Sequence, residues 1–281
     1  MKSKILTEKQ MMKFTEYLVN EEKSKNTIEK YCRDVWTFFQ YLEGATVTKE
    51  IVVSYKNKLL ERNYSPRSIN SMLASINSLF SFLGWEDCKA KSIKIQRQFY
   101  CPEEKELTKG EYLRLVETAK QTGNERLNLL LQTICGTGIR VSELRYITVE
   151  STKCGEAVVS LKGKTRSILI VRKLQKRLLD YAKRQHILSG PIFVTRSGRA
   201  LDRTSIWREM KNICAHAGVD SKKVFPHNLH HLFARVFYGI EKDIAKLADI
   251  LGHSSINTTR IYIITTGSEH RHYMENMRLI I

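Results

Sequence analysis

Between residues 6 and 83 the sequence lays down four successive stripes of apolar side chains at helical spacing. Such stripes are buried most simply against one another, so this part of the chain is expected to be all-α. Met11, Phe14, Tyr17 and Leu18 form the first stripe. Asn26, with Glu29 three residues on, is a capping-box-like start for the second. It carries Ile28, Tyr31, Val35, Phe38, Phe39 and Leu42, and Gly44 is the expected stop. Thr48 opens a third helix with Ile51, Val52, Tyr55 and Leu59 inward. Ser65-Pro66 is an N-cap followed by proline at the first helical position, ahead of Ile69, Leu73, Ile76 and Phe80. The aromatic residues read as core. The basic residues on the outer faces, such as Lys30, Arg33, Lys56 and Arg62, suit either solvent or phosphate.

The pattern changes after residue 88. Lys89, Lys91, Lys94 and Arg97 fall in nine residues without an acid, which reads as a basic linker over 89–105 able to lie along a phosphate backbone. Thr108 and Glu111 then form a second capping box. The run 127–135 is almost continuously apolar and suits a buried helix, broken at Gly136-Thr137-Gly138. Short β-type runs at 157–161 and 167–171 flank Lys162-Gly163-Lys164 and predict a hairpin. Helices are expected over 174–181 and 204–217, with a short strand at 192–194 between turns. The predicted domains are therefore a helical unit over 1–88, the linker, and a mixed unit over 106–281. The fold class is mostly α with a small β component.

The charge balance addresses partners. There are 47 Lys+Arg against 29 Asp+Glu, a net charge of +18, which points to nucleic acid or another anionic surface. With 42% hydrophobic residues the chain can bury a real core. No apolar run approaches a membrane span, and the charged N-terminus is not a signal peptide. The six cysteines are scattered with no Cys-x-x-Cys pair, which fits reduced thiols in a cytosol rather than a disulfide framework or zinc ribbon.

Residues 225–262 carry the chemistry. His227, His230 and His231 stand at i, i+3 and i+4 and can share a helical face. His253 follows a helix stop at Gly252, and Tyr262 lies nine residues further on. Zinc held by His227, His231 and His253 is an alternative, but no carboxylate or cysteine sits at ligand spacing with them. Arg140, just after the Gly-Thr-Gly turn, has a planar fork suited to phosphate oxygens.

The order TGIRVSEL, a Lys-Gly hairpin, PHxLxHxFA and LGHSSINTTxIY resembles the tyrosine recombinase, or phage integrase, family over essentially the whole chain. The resemblance implies an all-α core-binding domain and an α/β catalytic domain forming a C-shaped clamp on DNA. It implies that Tyr262 is the nucleophile, forming a 3′-phosphotyrosyl bond and freeing a 5′-hydroxyl. Arg140 and His253 would bind the phosphate, and His227 would assist proton transfer. Lys162, or alternatively Lys164, would protonate the leaving oxygen. Lys164, Arg166 and Arg260 join the linker cations as expected DNA contacts. No metal or other cofactor is expected.

One position departs from the family pattern. His230 stands where His-x-x-Arg has its arginine, so a weakened enzyme is expected, or else a DNA-binding protein of the same fold that no longer recombines. Residues 268–281 read as an amphipathic tail helix. The resemblance implies that this tail docks on a neighbouring copy, giving dimers to tetramers on duplex DNA with inverted-repeat core sites. Tyr273, outside the Thr-x-x-Tyr motif, is the rival nucleophile. Integration or excision of a mobile element, in the bacterial cytosol or nucleoid, is the expected setting.

Overall fold

The computed structural model describes residues 4–95, 106–161, 164–263 and 274–277, the side chains at 161 and 164 excepted. The chain divides into two compact units, Met1–Arg97 and Gln98–Ile281. Among the described residues no helix is long and apolar enough to cross a membrane.

The first unit is built from helices α1 (Glu8–Asn20), α2 (Lys25–Leu42), α3 (Lys49–Glu61) and α4 (Pro66–Leu83). Local caps set three of the starts. Thr7 and Gln10 close a reciprocal capping box, Thr48 accepts from the Ile51 amide, and Ser65 accepts from the Ser68 amide ahead of Pro66. The second helix begins earlier than the sequence suggests. Ser24, not Asn26, is its extended cap residue, and the amides of Thr27 and Ile28 already donate to the Ser24 carbonyl. Phe38 lies at the centre of the core, 5.1 Å from the Tyr55 ring and 6.0 Å from the Phe80 ring, edge-on to both. Asp34 is buried, and Lys30 (2.7 Å) and the Ser75 hydroxyl (2.8 Å) compensate its charge.

The chain leaving α4 stays fastened to it. Asn77 receives the Ala90 amide and donates to the Ala90 carbonyl, and Asn70 does the same for Ile93. The first part of the basic segment is thus tied down by side-chain amides. Lys89 in addition pairs with Glu86 at 2.5 Å.

In the second unit α5 (Lys109–Gln121) starts at the Thr108–Glu111 capping box, with both bonds formed. Helix α6 (Glu125–Thr137) is buried on nearly every side and packs on α5, on α8 (Arg172–Arg184) and on α10 (Pro226–Glu241). A 3-10 segment, Val141–Tyr146, and helix α7 (Val149–Cys154) lead to the hairpin of β1 (Glu156–Leu161) and β2 (Lys164–Leu169). The antiparallel register runs from Glu156 opposite Leu169 to Leu161 opposite Lys164. The second strand therefore starts at Lys164 rather than at 167. Its polar residues 164–167 hid it from a reading based on apolar runs. Helices α9 (Arg203–Asn212), α11 (Ile244–Leu251) and α12 (Ile256–Arg260) complete the unit.

The segment 192–194 is not a strand. Only isolated bridges flank or end it, Thr148 to Pro191 just before and Val194 to Ala200 at its last residue, and Ile192 and Phe193 are bends. Ile192 and Phe193 are both buried, which explains the apolar run without a strand. Helix α9 stops at Asn212, short of 217, and the chain turns through Gly218.

Gly138 ends α6 in the left-handed region at φ +64°, and a Cβ there would lie 2.5 Å from the Phe233 ring of α10. Backbone conformation and packing both demand glycine. Gly138→Ala is expected to cost about 2–4 kcal/mol in urea unfolding. A loss below about 0.5 kcal/mol would show that the two helices do not meet so closely there.

Candidate active site

Three local structures aim side chains at one place. At the first, the stop at Gly138 releases Arg140 in extended conformation (φ −79°, ψ 149°). Its amide donates to Glu143 Oε2 at 2.9 Å and its guanidinium to Oε1 at 3.2 Å. Glu143 is buried and is the sole acid between residues 139 and 149. Its position three residues beyond Arg140 at a helical start was the available sequence signal.

At the second, Pro226 opens α10, and its turn brings His227, His230 and His231 to one face while Leu229, Leu232 and Ala234 enter the core. At the third, Gly252 caps α11 in the left-handed region, and His253 follows directly. Ser255 caps α12, and Tyr262 emerges after its last turn. Thr259, fully buried, lies 2.9 Å by its hydroxyl from His253 Nδ1. That contact fixes which ring nitrogen faces the protein and leaves Nε2 directed elsewhere.

Tyr262 is buried among the histidines. Its ring centroid lies 4.3 Å from that of His231, 5.1 Å from His253, 5.4 Å from His230 and 5.5 Å from His227. Among the described residues neither ring nitrogen of His230 has a hydrogen-bond partner, and nor does His253 Nε2. Buried polar atoms left this way cost about 1–3 kcal/mol each, so three of them in one pocket mark a place for a polar ligand.

Burial raises the Tyr262 phenol above its ordinary value, and Arg140 opposes that shift. Burial also pushes His230 down to about 2, helped by the charges of Arg140, His227, His253 and Arg166. His253 falls to about 4, through burial, then Arg140, Arg166 and His227. His231 falls to about 4 through burial and His227. His227, at the exposed mouth, is lowered by desolvation and then by Arg140 and Arg203.

These imidazoles are neutral at pH 7. The unfolded chain binds their protons near pH 6.5 while the fold does not, so stability rises with pH across that interval. The contribution of His230 is complete above about pH 6.5 and is lost progressively as pH falls toward 2. At pH 5 that loss is about 2 kcal/mol. The urea midpoint is expected to drop between pH 7 and pH 5, and His230→Asn should make the drop smaller. Equal drops in both proteins would show that His230 is not held neutral.

The other expected residues are more scattered. Lys91, Lys94 and Arg260 are exposed. Lys162 and Arg97 lie outside the described residues, as do Tyr273 and most of the tail. Arg166, expected on a DNA-facing surface, instead points inward, with its side chain about 10% exposed. Among the described residues no group of three or more His, Cys, Asp or Glu side chains is set to hold a metal ion. Sequence reasoning missed Glu143, Thr259 and also Arg203, which lines a shallow cleft with Trp207, Phe225 and His227.

Family models match both units. The phage integrase family model covers residues 105–268, and the phage integrase N-terminal SAM-like domain covers residues 11–87. The chain belongs to the phage integrase family. It is a site-specific tyrosine recombinase, an enzyme that breaks and rejoins DNA. The recombinase is 31% identical over 290 residues to the tyrosine recombinase XerA of Pyrococcus furiosus, covering 100% of this chain and 98% of that one. In fold it resembles a lambda integrase(75-356) dimer bound to a COC' core site, with TM-score 0.77 at 16% identity over 94% of this chain and 96% of that one. It also resembles the XerH recombinase bound to its difH substrate, with TM-score 0.68 at 18% identity over 97% and 90% of the two chains.

Proposed function

We propose that the recombinase cleaves one strand of duplex DNA by attack of the Tyr262 oxygen on phosphorus. The Tyr262–phosphorus bond forms, the bond from phosphorus to the 5′-oxygen breaks, and a 3′-phosphotyrosine remains. His227 takes the phenolic proton, and the hairpin lysine, Lys162 or Lys164, returns one to the 5′-oxygen. Arg140, His253 Nε2 and His230 bind the non-bridging oxygens. Each phosphodiester lost is replaced by another, so rejoining needs no ATP. Side-chain donors carry the role that a metal ion plays in other phosphoryl transfers.

One observation carries the reading: Tyr262 sits ring to ring with His227, His230 and His253 of its own chain, within the field of Arg140. The exposed Lys91, Lys94 and Arg260 would hold flanking phosphates. Inverted-repeat core sites, dimers to tetramers assembled through the tail, and integration or excision of a mobile element in the cell interior belong to the same proposal.

A neutral imidazole at position 230 supplies no permanent cation, which supports a slow transfer step rather than a fast one. The test uses a duplex selected from a random pool by this protein and nicked beside its centre, so that cleavage traps the covalent complex. A protein–DNA adduct stable in detergent is the expected product. Tight binding without adduct, both in this chain and in His230→Arg, would overturn the assignment of Tyr262 as nucleophile.

A further inference from the structure

We infer that Arg166 is a positioning residue for the transfer site, tying the hairpin to the segments that present Arg140 and His253; the inference rests on the recombinase reading above. Three contacts carry it. One guanidinium nitrogen donates to Glu143 Oε2 at 2.5 Å, and the same carboxylate receives the Arg140 amide and, through its other oxygen, the Arg140 guanidinium. The other terminal nitrogen donates to the Ile250 carbonyl at 2.5 Å, in the last turn of α11, three residues before His253. The Arg166 stem passes so close to Gly252 that a Cβ there would collide with its Cδ.

The arginine therefore bonds two acceptors on two different segments from a third. Arg140 follows α6, His253 follows α11, and Arg166 itself is part of β2. A planar fork with several fixed N–H directions does this, whereas an ammonium group would satisfy one acceptor well and not both. The carboxylate of Glu143 lies between two guanidinium groups, which holds Arg140 in place while leaving the site a net cation for phosphate. The charge of Arg166 also lowers the proton affinity of His253.

The residue is placed to act through its neighbours. It is almost wholly enclosed, and its Nε has no partner among the described residues. Displacing a reacting group by about 1 Å is enough to slow an enzyme on the order of 100-fold. That is the size of effect expected when the tie is cut.

The test compares Arg166→Gln and Arg166→Lys with the parent, in this chain and in the His230→Arg background. Cleavage of the nicked duplex at saturating protein is expected to fall about 100-fold in Arg166→Gln and about 10-fold in Arg166→Lys. The half-site Kd should stay within about threefold. Histidine NMR titration should show the His253 value moving up by about one unit in Arg166→Gln. That readout stands whether or not the protein cleaves DNA, so it separates failure of this inference from failure of the recombinase reading.

Weaker binding with a salt slope reduced by about one and unchanged cleavage at saturation would make Arg166 a phosphate contact and overturn the inference. Parallel loss of Tm and cleavage, with full rate regained on cooling, would reduce it to a stability residue and overturn it equally. If Arg166→Gln does not fold, Arg166→Lys decides.

Discussion

Tyr262→Phe is expected to abolish covalent complex formation on the nicked duplex, a loss on the order of 10⁴-fold or more, with DNA affinity and urea stability close to those of the parent. The phenolic oxygen is the single group removed, and the ring that fills the space between His231 and His253 remains. Burial raises the phenol above its ordinary value, so attack does not draw on a standing phenolate. The proton must leave as the phosphorus bond forms, and His227, neutral and at the mouth of the site, is placed to take it. Because the His227 value is depressed, its base form persists below pH 6.5, and cleavage should hold its rate into mildly acidic buffer. Adduct formation by Tyr262→Phe, at any rate near that of the parent, would move the nucleophile elsewhere in the chain.

His230→Arg should raise single-turnover cleavage by about 10²–10³-fold, the usual worth of one preorganised donor at a charge-bearing oxygen. A neutral imidazole offers at most one donor and no charge, whereas an arginine offers both. The pocket will resist the change. His230 is 2% exposed and lies against His227, His253 and Tyr262, so a longer side chain crowds them. The new cation would also join Arg140 and Arg166 around the single carboxylate of Glu143. In the absence of DNA the variant is expected to be less stable by about 1–3 kcal/mol. A phosphate relieves that repulsion, so binding should tighten and its salt dependence steepen by about one. Cleavage that does not rise, in a variant that folds and binds DNA, would mean that position 230 does not face the phosphate.

What could be read in advance followed from how local the cause was. The Thr108–Glu111 box, the Ser65-Pro66 start and the Thr48 cap are settled within four residues, and the structure has all three. The histidine face on α10 was equally legible, because i, i+3 and i+4 spacing needs only a helix. The start of α2 was misplaced because Asn26-Glu29 imitates a capping box, while the N-cap position falls on Ser24, whose side chain does not cap the helix. The 192–194 segment was misjudged because both of its large side chains turn into the core. The inward turn of Arg166 depends on partners 23 and 84 residues away, which no short window along the chain contains, whereas Glu143 and Thr259 bond to residues three and six positions off and were missed although their partners are local. A trace existed for Arg166: it shares a strand face with buried Ile168, so it was due to point inward.

The uncharged rings around Tyr262 have a consequence for the protein at rest. A phenol 8% exposed, walled by imidazoles that do not take up protons at neutral pH, has neither a ready path to ionisation nor open access to stray electrophiles. Its reactivity is held back until an anion enters, meets Arg140 and completes the circuit of charge. The enclosure works as a safety catch, keeping a strand-breaking group quiet in a protein that carries +18 of charge and meets DNA everywhere.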